Sequence, residues 1–280
     1  MSAFGGASVR EALDSAVIAI AAAGSQTPRL DAEVLLAAAL GIDRTALFLE
    51  PGRELRGAAV RAFQDAVRRR SAGREPVAYI TGTRGFRHIE LAVDPRVLVP
   101  RPETELVVEV ALELVPRGAR VVDVGTGSGA IALALASERT DLEVLATDVS
   151  ADALAVARAN ADQLGLGRVA FAHGDLLAGL GAVDAVLSNP PYVAEGERAG
   201  LAPEITRHEP AGALFAGADG LDVIRRLVPA AARAGARLLA IEHGEGQSPA
   251  VAALMREAGF CDLQARRDLA GIERVAVGRR

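Results

Sequence analysis

The spacing of apolar residues predicts only helices in the first quarter of the chain. In the first of these helices the apolar positions are three or four residues apart, at Val9, Leu13, Val17 and Ile20. This spacing places the apolar side chains on one face of an amphipathic helix. No strand-like alternation interrupts the pattern before about residue 74. The sequence therefore predicts a small N-terminal helical domain over residues 1–74.

Several residues in this region predict where its helices begin and end. Ser8 and Glu11 have the spacing of a capping box, and Thr27 before Pro28 is typical of a helix N-terminus. The arginine triplet 68–70 closes a later helical pattern. Because cations are favoured at helix C-termini, we expect this triplet to be a solvated helix end, although it could also pair with an acidic partner.

After this region the period of the pattern changes from helical to alternating. Ile89, Leu91 and Val93 alternate with polar residues, and Gly82 and Gly85 precede them. Alternation of this kind predicts strands with one buried face. We therefore expect a β-hairpin linker over residues 75–100.

From residue 101 to residue 280, short apolar runs alternate with helical patterns. This order is typical of an α/β domain with a mainly parallel sheet. Seven runs are predicted strands: residues 121–124, 144–147, 169–172, 185–188, 238–241, about 260–266 and about 273–278.

Composition and charge exclude several classes of protein. The 36 acidic residues outnumber the 31 basic ones, all arginine, which argues against a basic nucleic-acid-binding surface. The single cysteine and four histidines have no metal-site spacing, so we expect no metal. The apolar run 16–23 is much shorter than the roughly 20 residues of a membrane span. We expect a cytoplasmic protein without a membrane segment.

A glycine-rich loop follows the first predicted strand and precedes a helix. Gly125, Gly127 and Ala130 match the dinucleotide-binding fingerprint, and Asp148 closes the next strand at about the expected 20-residue distance. Glycines let the backbone approach a ligand, and the helix N-terminus offers free N–H groups. A nucleoside ligand is favoured over a ligand-free tight turn, although Asp148 could also serve only as a cap beside Ser150.

A second acidic residue, Asp175, ends the third predicted strand as Asp148 ends the second. Both therefore fall at the carboxyl edge of the sheet, where open α/β sheets bind ligands. We assign Asp175 to the amino group of an adenine; the alternative is a turn-forming aspartate before Leu176.

The tetrapeptide Asn189-Pro190-Pro191-Tyr192 at the end of the fourth strand indicates the chemistry. The lone pair of an amide or aromatic amine nitrogen is delocalised, so such a nitrogen is a weak nucleophile. Acceptors on both of its N–H groups, namely the Asn189 side-chain oxygen and the Pro190 carbonyl, would direct the remaining lobe at an electrophilic methyl group. Pro191 fixes the backbone, and Tyr192 offers a flat face to a planar substrate. Standing alone, the motif could equally be a strand terminator.

With this tetrapeptide, the chain resembles the class I S-adenosylmethionine-dependent methyltransferases. Further motifs are similar to those of the release factor glutamine methyltransferases, the HemK or PrmC family: residues 99–105, 122–133, 209–210, 213–214, 219–221, 268–271 and Arg274. The resemblance implies a Rossmann-like α/β fold with a seven-stranded sheet. It also implies that the catalytic domain covers residues 101–280 and that the helical domain docks the substrate.

The resemblance implies a reaction and a set of site residues. The reaction is methylation of the side-chain amide of the glutamine in the Gly-Gly-Gln loop of class I release factors, with S-adenosylhomocysteine as the other product. The implied cofactor contacts are Gly125, Thr126, Gly127, Ser128, Gly129, Asp148, Asp175, Leu176 and Asn189. The implied substrate contacts are Leu98, Asn189, Pro190, Pro191 and Tyr192, of which Asn189, Pro190 and Tyr192 are the catalytic candidates.

Other readings of the sequence remain open. An adenine N6-methyltransferase of DNA or RNA uses the same tetrapeptide on a flipped-out base, but this acidic chain shows no clear phosphate-binding charge, and we expect no stable nucleic-acid binding. A nicotinamide dehydrogenase would leave the tetrapeptide without a role. A binding module with a vestigial nucleotide pocket is the non-enzymatic alternative.

Overall fold

The computed structural model of the chain describes residues 6–280, so residues 1–5 of the predicted helical domain lie outside the described residues. The chain forms two compact units. The helical unit contains residues up to Gly82 together with residues 202–208, and the sheet unit contains residues 83–201 and 209–280.

The helices and strands follow the predicted alternation. The α-helices are α1 (Val9–Ala22), α2 (Pro28–Leu40), α3 (Ala46–Leu49), α4 (Ala58–Ser71), α5 (Val77–Thr81), α6 (Glu105–Leu114), α7 (Ala130–Glu138), α8 (Ala151–Gln163), α9 (Pro203–His208), α10 (Asp222–Arg233) and α11 (Ser248–Glu257). The strands are β1 (Thr83–Phe86), β2 (Ile89–Ala92), β3 (Arg120–Val124), β4 (Glu143–Asp148), β5 (Ala170–His173), β6 (Ala185–Ser188), β7 (Leu238–Glu242), β8 (Cys261–Arg267) and β9 (Glu273–Arg279).

Helices α1, α2 and α4 surround the core of the helical unit, where Phe63 and Leu36 are fully buried. The capping box at the start of α1 is present as predicted, with Ser8 and Glu11 each accepting from the other's backbone N–H. The predicted cap at Thr27 is wrong in its contact. The Thr27 hydroxyl donates to Asp31 Oδ1 instead of accepting from the backbone of the first turn.

The end of α4 is not the solvated helix end that the arginine triplet predicts. Arg68 is exposed, but Arg70 is buried, and its Nε donates to Asp31 Oδ2 at 2.7 Å. Arg70 Nη1 donates to Glu204 Oε1 at 2.5 Å, and Glu204 belongs to the segment 202–208 of this same unit. The expectation fails for Arg70 because two carboxylates compensate the loss of its hydration.

The sheet unit begins with the predicted hairpin, β1 and β2, and continues into a seven-stranded sheet of order β5-β4-β3-β6-β7-β9-β8. The strands are parallel except at one edge, where β9 is antiparallel to both β7 and β8. This architecture confirms the predicted α/β fold. Two segments group differently from the prediction. Helix α5 lies within the predicted linker, and residues 202–208 lie within the predicted catalytic domain, yet both segments belong to the helical unit.

Hydrophobic cores cover both faces of the sheet. Successive residues of β3 point into different cores, Val121 into one with α6 and α7 and Val122 into the other with α10 and α11. Burial on both faces explains why these strands are almost continuously apolar. Within residues 6–280, no helix is both long enough and apolar enough to span a membrane.

Candidate functional site

A cavity of about 660 Å³ opens at the carboxyl ends of β3, β4, β5 and β6 in the sheet unit. Most of the predicted site residues line it: Leu98, Gly125, Thr126, Gly127, Ser128, Asp148, Asp175, Leu176, Asn189, Pro190 and Pro191. Two predicted site residues, Gly129 and Tyr192, do not line it. The fold thus brings the glycine loop and the proline-rich tetrapeptide to one cavity.

The glycines of the loop differ in what surrounds them. Gly125 and Gly127 have φ values of +74° and +56°, and a Cβ atom built on either would meet nothing within 4 Å. Their backbone therefore faces open space, where a ligand can approach closely. A Cβ atom on Gly129 would instead lie 2.7 Å from Leu133 Cδ1. Gly129 thus serves the packing of α7 rather than the cavity wall.

A buried carboxyl group, that of Asp123, holds the loop from behind. Its Oδ2 accepts from the Thr126 hydroxyl at 2.6 Å and from the Ala132 N–H at 3.2 Å. Its Oδ1 is buried and has no partner among the described residues. Burial raises the pKa of Asp123 to about 7, because the neutral donors compensate only part of the lost hydration.

Asp148 is oriented towards the cavity by two backbone donors. Oδ2 accepts from the Gly127 N–H at 2.9 Å, and Oδ1 accepts from the Ser150 N–H at 2.9 Å. The cap alternative for Asp148 therefore applies in part, although the side chain that caps α8 is that of Ser150. Each carboxylate oxygen keeps lone-pair capacity for a further donor, such as a ribose hydroxyl.

Asp175 and Leu176 lie at the outer edge of the cavity. Leu176 has a φ of +56°, and its carbonyl accepts from the Thr147 hydroxyl at 3.0 Å. The half-exposed Asp175 carboxylate pairs with Arg226 of α10, which also lines the cavity. The sequence does not single out Arg226, because nothing in the helical pattern of α10 distinguishes it from the neighbouring Arg225.

Asn189 follows β6 directly, and its side-chain amide is held on one side. Its Nδ2 donates to Thr104 Oγ1 at 2.9 Å, so Oδ1 is the atom left for a ligand in the cavity. The preceding Ser188 is fully buried and donates to the Val124 carbonyl at 2.7 Å, which joins the ends of β6 and β3. The side-chain oxygen of Asn189 is therefore available on the cavity that the glycine loop also lines.

Tyr192 points away from the cavity and is anchored behind it. Its hydroxyl donates to Oε1 of the fully buried Glu242 at 3.1 Å, and its carbonyl accepts from Gln247 Nε2 at 2.9 Å. Burial raises the pKa of Tyr192, and the adjacent Glu242 raises it further. The pKa of Glu242 is in turn raised to about 7 by burial.

An ion pair joins the segment before α6 to the segment after α9, and the two segments together form part of the cavity wall. Arg101 Nη2 donates to both carboxylate oxygens of Glu209, at 2.6 and 2.8 Å. Burial nonetheless raises the pKa of Glu209, because Arg101 offsets only part of the desolvation. Both residues fall within the motifs quoted above, and Pro210 next to Glu209 lines the cavity.

Asn160 in α8 was missed by the sequence analysis. Its side chain accepts from the Ala92 N–H at 2.8 Å and donates to the Ala92 carbonyl at 3.0 Å and to the Ser128 carbonyl at 2.9 Å. It therefore ties the hairpin to the glycine loop. The available signal was a polar residue at a position of α8 that helical periodicity buries.

No group of three or more His, Cys, Asp or Glu side chains within residues 6–280 is arranged to hold a metal ion. The cavity instead offers backbone groups and a carboxylate beside an amide oxygen. That combination suits a nucleoside next to a planar polar group better than a metal ligand set.

Family profiles match both parts of the chain. The profile of the PrmC N-terminal domain matches residues 11–82, and that of the methyltransferase small domain matches residues 103–217.

Curated relatives match nearly the whole chain. The release factor glutamine methyltransferase of Geobacter sulfurreducens is 40% identical over 97% of this chain and 96% of that protein. The protein of the same name from Deinococcus radiodurans is 44% identical over 97% of this chain and 98% of that protein. A third, from Mycolicibacterium smegmatis, is 43% identical over 97% and 98%.

Solved structures share the fold at low identity. The catalytic domain of hMettl16 in complex with MAT2A 3′UTR hairpin 1 aligns with a TM-score of 0.57 at 17% identity, over 79% of this chain and 80% of that chain. A methyltransferase from Pyrococcus furiosus aligns with a TM-score of 0.50 at 16% identity, over 68% and 87%. These likenesses concern the fold of a methyltransferase domain.

Proposed function

Because the chain belongs to the release factor glutamine methyltransferase family, we propose that it methylates the side-chain amide nitrogen of a glutamine in class I release factors. The glutamine is that of the Gly-Gly-Gln loop, and the product is N5-methylglutamine. The relatives' name and the geometry beside Asn189 support this proposal together.

The methyl donor that we propose is S-adenosylmethionine, whose sulfonium supplies an electrophilic methyl group and leaves as S-adenosylhomocysteine. The described residues fit its nucleoside part. The open backbone of Gly125 and Gly127 can approach it, and Asp148 has acceptor capacity for ribose hydroxyls. Thr126, Ser128 and Leu176 line the same cavity, and we assign the recognition of the adenine amino group to Asp175, which pairs with Arg226.

The residues of the tetrapeptide position the accepting amide. Asn189 Oδ1 and the Pro190 carbonyl accept the two N–H hydrogens of the substrate glutamine and hold its nitrogen in one orientation. Pro191 and Leu98, on the same cavity, pack against the substrate chain. The new C–N bond forms as the methyl carbon leaves sulfur, and the nitrogen then loses one proton to solvent. Positioning and charge neutralisation supply the rate, so no basic side chain is required.

The commitment of Asn189 Nδ2 to Thr104 is the observation that carries this assignment. It leaves an acceptor where an amide N–H must be held. An amide that faced the cavity with its NH₂ group would instead repel the substrate's donors.

We further propose that the helical unit docks the release factor and that the protein works in the cytoplasm, where release factors meet ribosomes. The exposed apolar residues of the helical unit include Phe48 and Leu49, and large apolar side chains of this kind are common at docking surfaces.

Methyl transfer to a purified release factor tests the proposal. The protein is incubated with methyl-labelled S-adenosylmethionine and, in separate tubes, the release factor, the same factor with its loop glutamine replaced, and duplex DNA. Mass spectrometry should find one methyl group on the Gly-Gly-Gln glutamine and none in the other two tubes. Label on DNA adenine, or label on the factor that lacks the glutamine, would contradict the proposed substrate.

A further inference from the structure

A network of polar side chains beside the cavity relates both ends of the tetrapeptide to one buried carboxyl group, that of Glu242. Tyr192, its last residue, donates directly to Glu242 Oε1 at 3.1 Å. Asn189, its first residue, donates to Thr104 Oγ1 at 2.9 Å, and the Thr104 hydroxyl also acts on the Glu242 carboxyl group, whose pKa it lowers against the effect of burial. Glu242 is at the end of β7, some 50 residues beyond the tetrapeptide.

Burial shields Glu242 and Thr104 of this network from solvent. Glu242 is 0% exposed and Thr104 is 4% exposed. Glu242 Oε2 is buried and has no hydrogen-bond partner within residues 6–280, and Thr104 is the hydroxyl whose interaction lowers the pKa of this carboxyl group. A buried acceptor without a donor is costly, which favours a Thr104 hydroxyl turned towards Glu242.

The direction of every bond then follows from proton counting. An ionised carboxylate can only accept, so both hydroxyl groups that face it must donate. Thr104 has one hydroxyl hydrogen, and once this is given to Glu242 its oxygen can only accept from Asn189. The Asn189 amide must therefore turn Nδ2 towards Thr104 and keep Oδ1 for the cavity.

We propose that Glu242 is a positioning residue whose carboxylate, acting through Thr104, selects the orientation of the Asn189 amide that accepts the substrate N–H. The inference rests on the proposed function for its catalytic consequence, but its structural content stands apart from the substrate. The role is positioning because Glu242 does not line the cavity and touches no reacting atom.

Two substitutions of Thr104 form a matched pair. Thr104→Val keeps the shape and removes the hydroxyl, whereas Thr104→Ser keeps the hydroxyl. We expect Thr104→Val and Glu242→Gln to lower kcat at least about tenfold, with the Kd of the methyl donor within about threefold of wild type. Thr104→Ser should restore kcat to within about threefold of wild type. Assays at about pH 8.5 keep Glu242 ionised, since burial raises its pKa to about 7.

A spectroscopic measurement tests the orientation without any substrate. The sequence has only two asparagines, Asn160 and Asn189, so labelling with ¹⁵N-asparagine gives two side-chain NH₂ signals. The Asn189 signal should shift in Thr104→Val and Glu242→Gln and keep its wild-type position in Thr104→Ser. The Asn160 signal should stay in place in all three variants, which shows that the glycine loop and hairpin remain folded.

The kinetic measurement and the spectroscopic measurement together distinguish failure of the inference from failure of the proposed function. An Asn189 signal that ignores Thr104→Val and Glu242→Gln would overturn the inference, as would equal kcat values for Thr104→Val and Thr104→Ser. A wild-type protein that methylates no release factor while its Asn189 signal responds as expected would refute the proposed substrate and support the positioning role.

Discussion

The buried acidic side chains of the helical unit and two that support the cavity of the sheet unit, Asp123 and Glu242, are compensated in opposite ways. In the helical unit, Asp31 and Glu204 share a cation, because Arg70 donates to both. In the sheet unit, the carboxyl groups of Asp123 and Glu242 have only neutral hydrogen-bond donors. Each of these two also keeps one buried oxygen without a hydrogen-bond partner within the described part of the chain.

The pKa values follow this difference. Burial alone would raise the pKa of Glu204, but hydrogen bonds from Arg74 and Arg70 lower it to about 2. Burial raises the pKa values of Asp123 and Glu242 to about 7, and no cation reverses the effect. The paired carboxylate of Glu204 stabilises the helical unit. The unpaired carboxyl groups of Asp123 and Glu242 support the glycine loop and the tetrapeptide. Strongly perturbed pKa values of this kind tend to occur at the functional sites of enzymes.

The largest expected effect comes from removing the shared cation. Arg70→Met leaves Asp31 and Glu204 buried without their common partner and should lower the free energy of unfolding of the helical unit by about 3–5 kcal/mol. Urea denaturation followed by circular dichroism measures it. Arg68→Met, on the exposed side of the same helix, is the matched control and should leave the midpoint unchanged. An equal loss of unfolding free energy in both variants would contradict the role assigned to the buried Arg70.

A carboxylate that faces the cavity should act on binding rather than on folding. Asp148→Ala removes the acceptor that Gly127 and Ser150 orient and should weaken binding of the methyl donor about tenfold to a hundredfold, as expected for hydrogen bonds to a charged group. Calorimetric titration measures the Kd. Asp152→Asn, an exposed change in the first turn of α8, is the control. Unchanged affinity of Asp148→Ala would remove the ribose assignment.

The unpaired carboxyl groups should make the sheet unit less stable as the pH rises. Native Asp123 keeps its proton up to about pH 7, whereas the unfolded chain releases it near its ordinary value of 3.8. The native state therefore binds more protons between these values, and stability falls as the pH increases, by at most about 1.4 kcal/mol per pH unit for one group. Asp123→Asn should flatten the dependence measured between about pH 5 and 7. A slope unchanged from wild type would show that Asp123 ionises normally.

The paired carboxyl group should give a dependence of opposite sign and smaller size. Glu204 has a lowered pKa, so its contribution to stability is present above about pH 4.5 and is lost as the pH falls towards 2. Glu204→Gln should flatten the acid limb of the stability profile of the helical unit. Acid unfolding at the same pH and with the same slope in both proteins would contradict the pairing described for Arg70 and Arg74.

Much of the fold could be predicted because it depends on local pattern. The strands of the sheet unit are apolar on both faces, and the glycine loop needs the positive φ values that Gly125 and Gly127 adopt. The supports of the site could not be predicted in the same way. Thr104, Asn160 and Glu242 reach the glycine loop or the tetrapeptide across 32 to 85 positions of sequence, and their roles depend on tertiary contacts that no period encodes.

The burial of Arg70 could not be predicted from the sequence, for a related reason. Neighbouring arginines look alike in a helical pattern, yet one faces solvent and another faces two carboxylates. The two partners of Arg70, Asp31 and Glu204, lie 39 and 134 positions away and distinguish it from Arg68.

The membership of residues 202–208 in the helical unit limits how the protein can be divided by genetic truncation. A fragment that starts at Thr83 would carry Glu204 without Arg70 and Arg74, and a fragment that stops at Gly82 would carry both arginines without Glu204. Either single cut creates unneutralised groups, so a soluble half-molecule would need compensating substitutions at the severed pairs. Each unit is thus discontinuous in sequence, because three boundaries, after Gly82, Leu201 and His208, separate them.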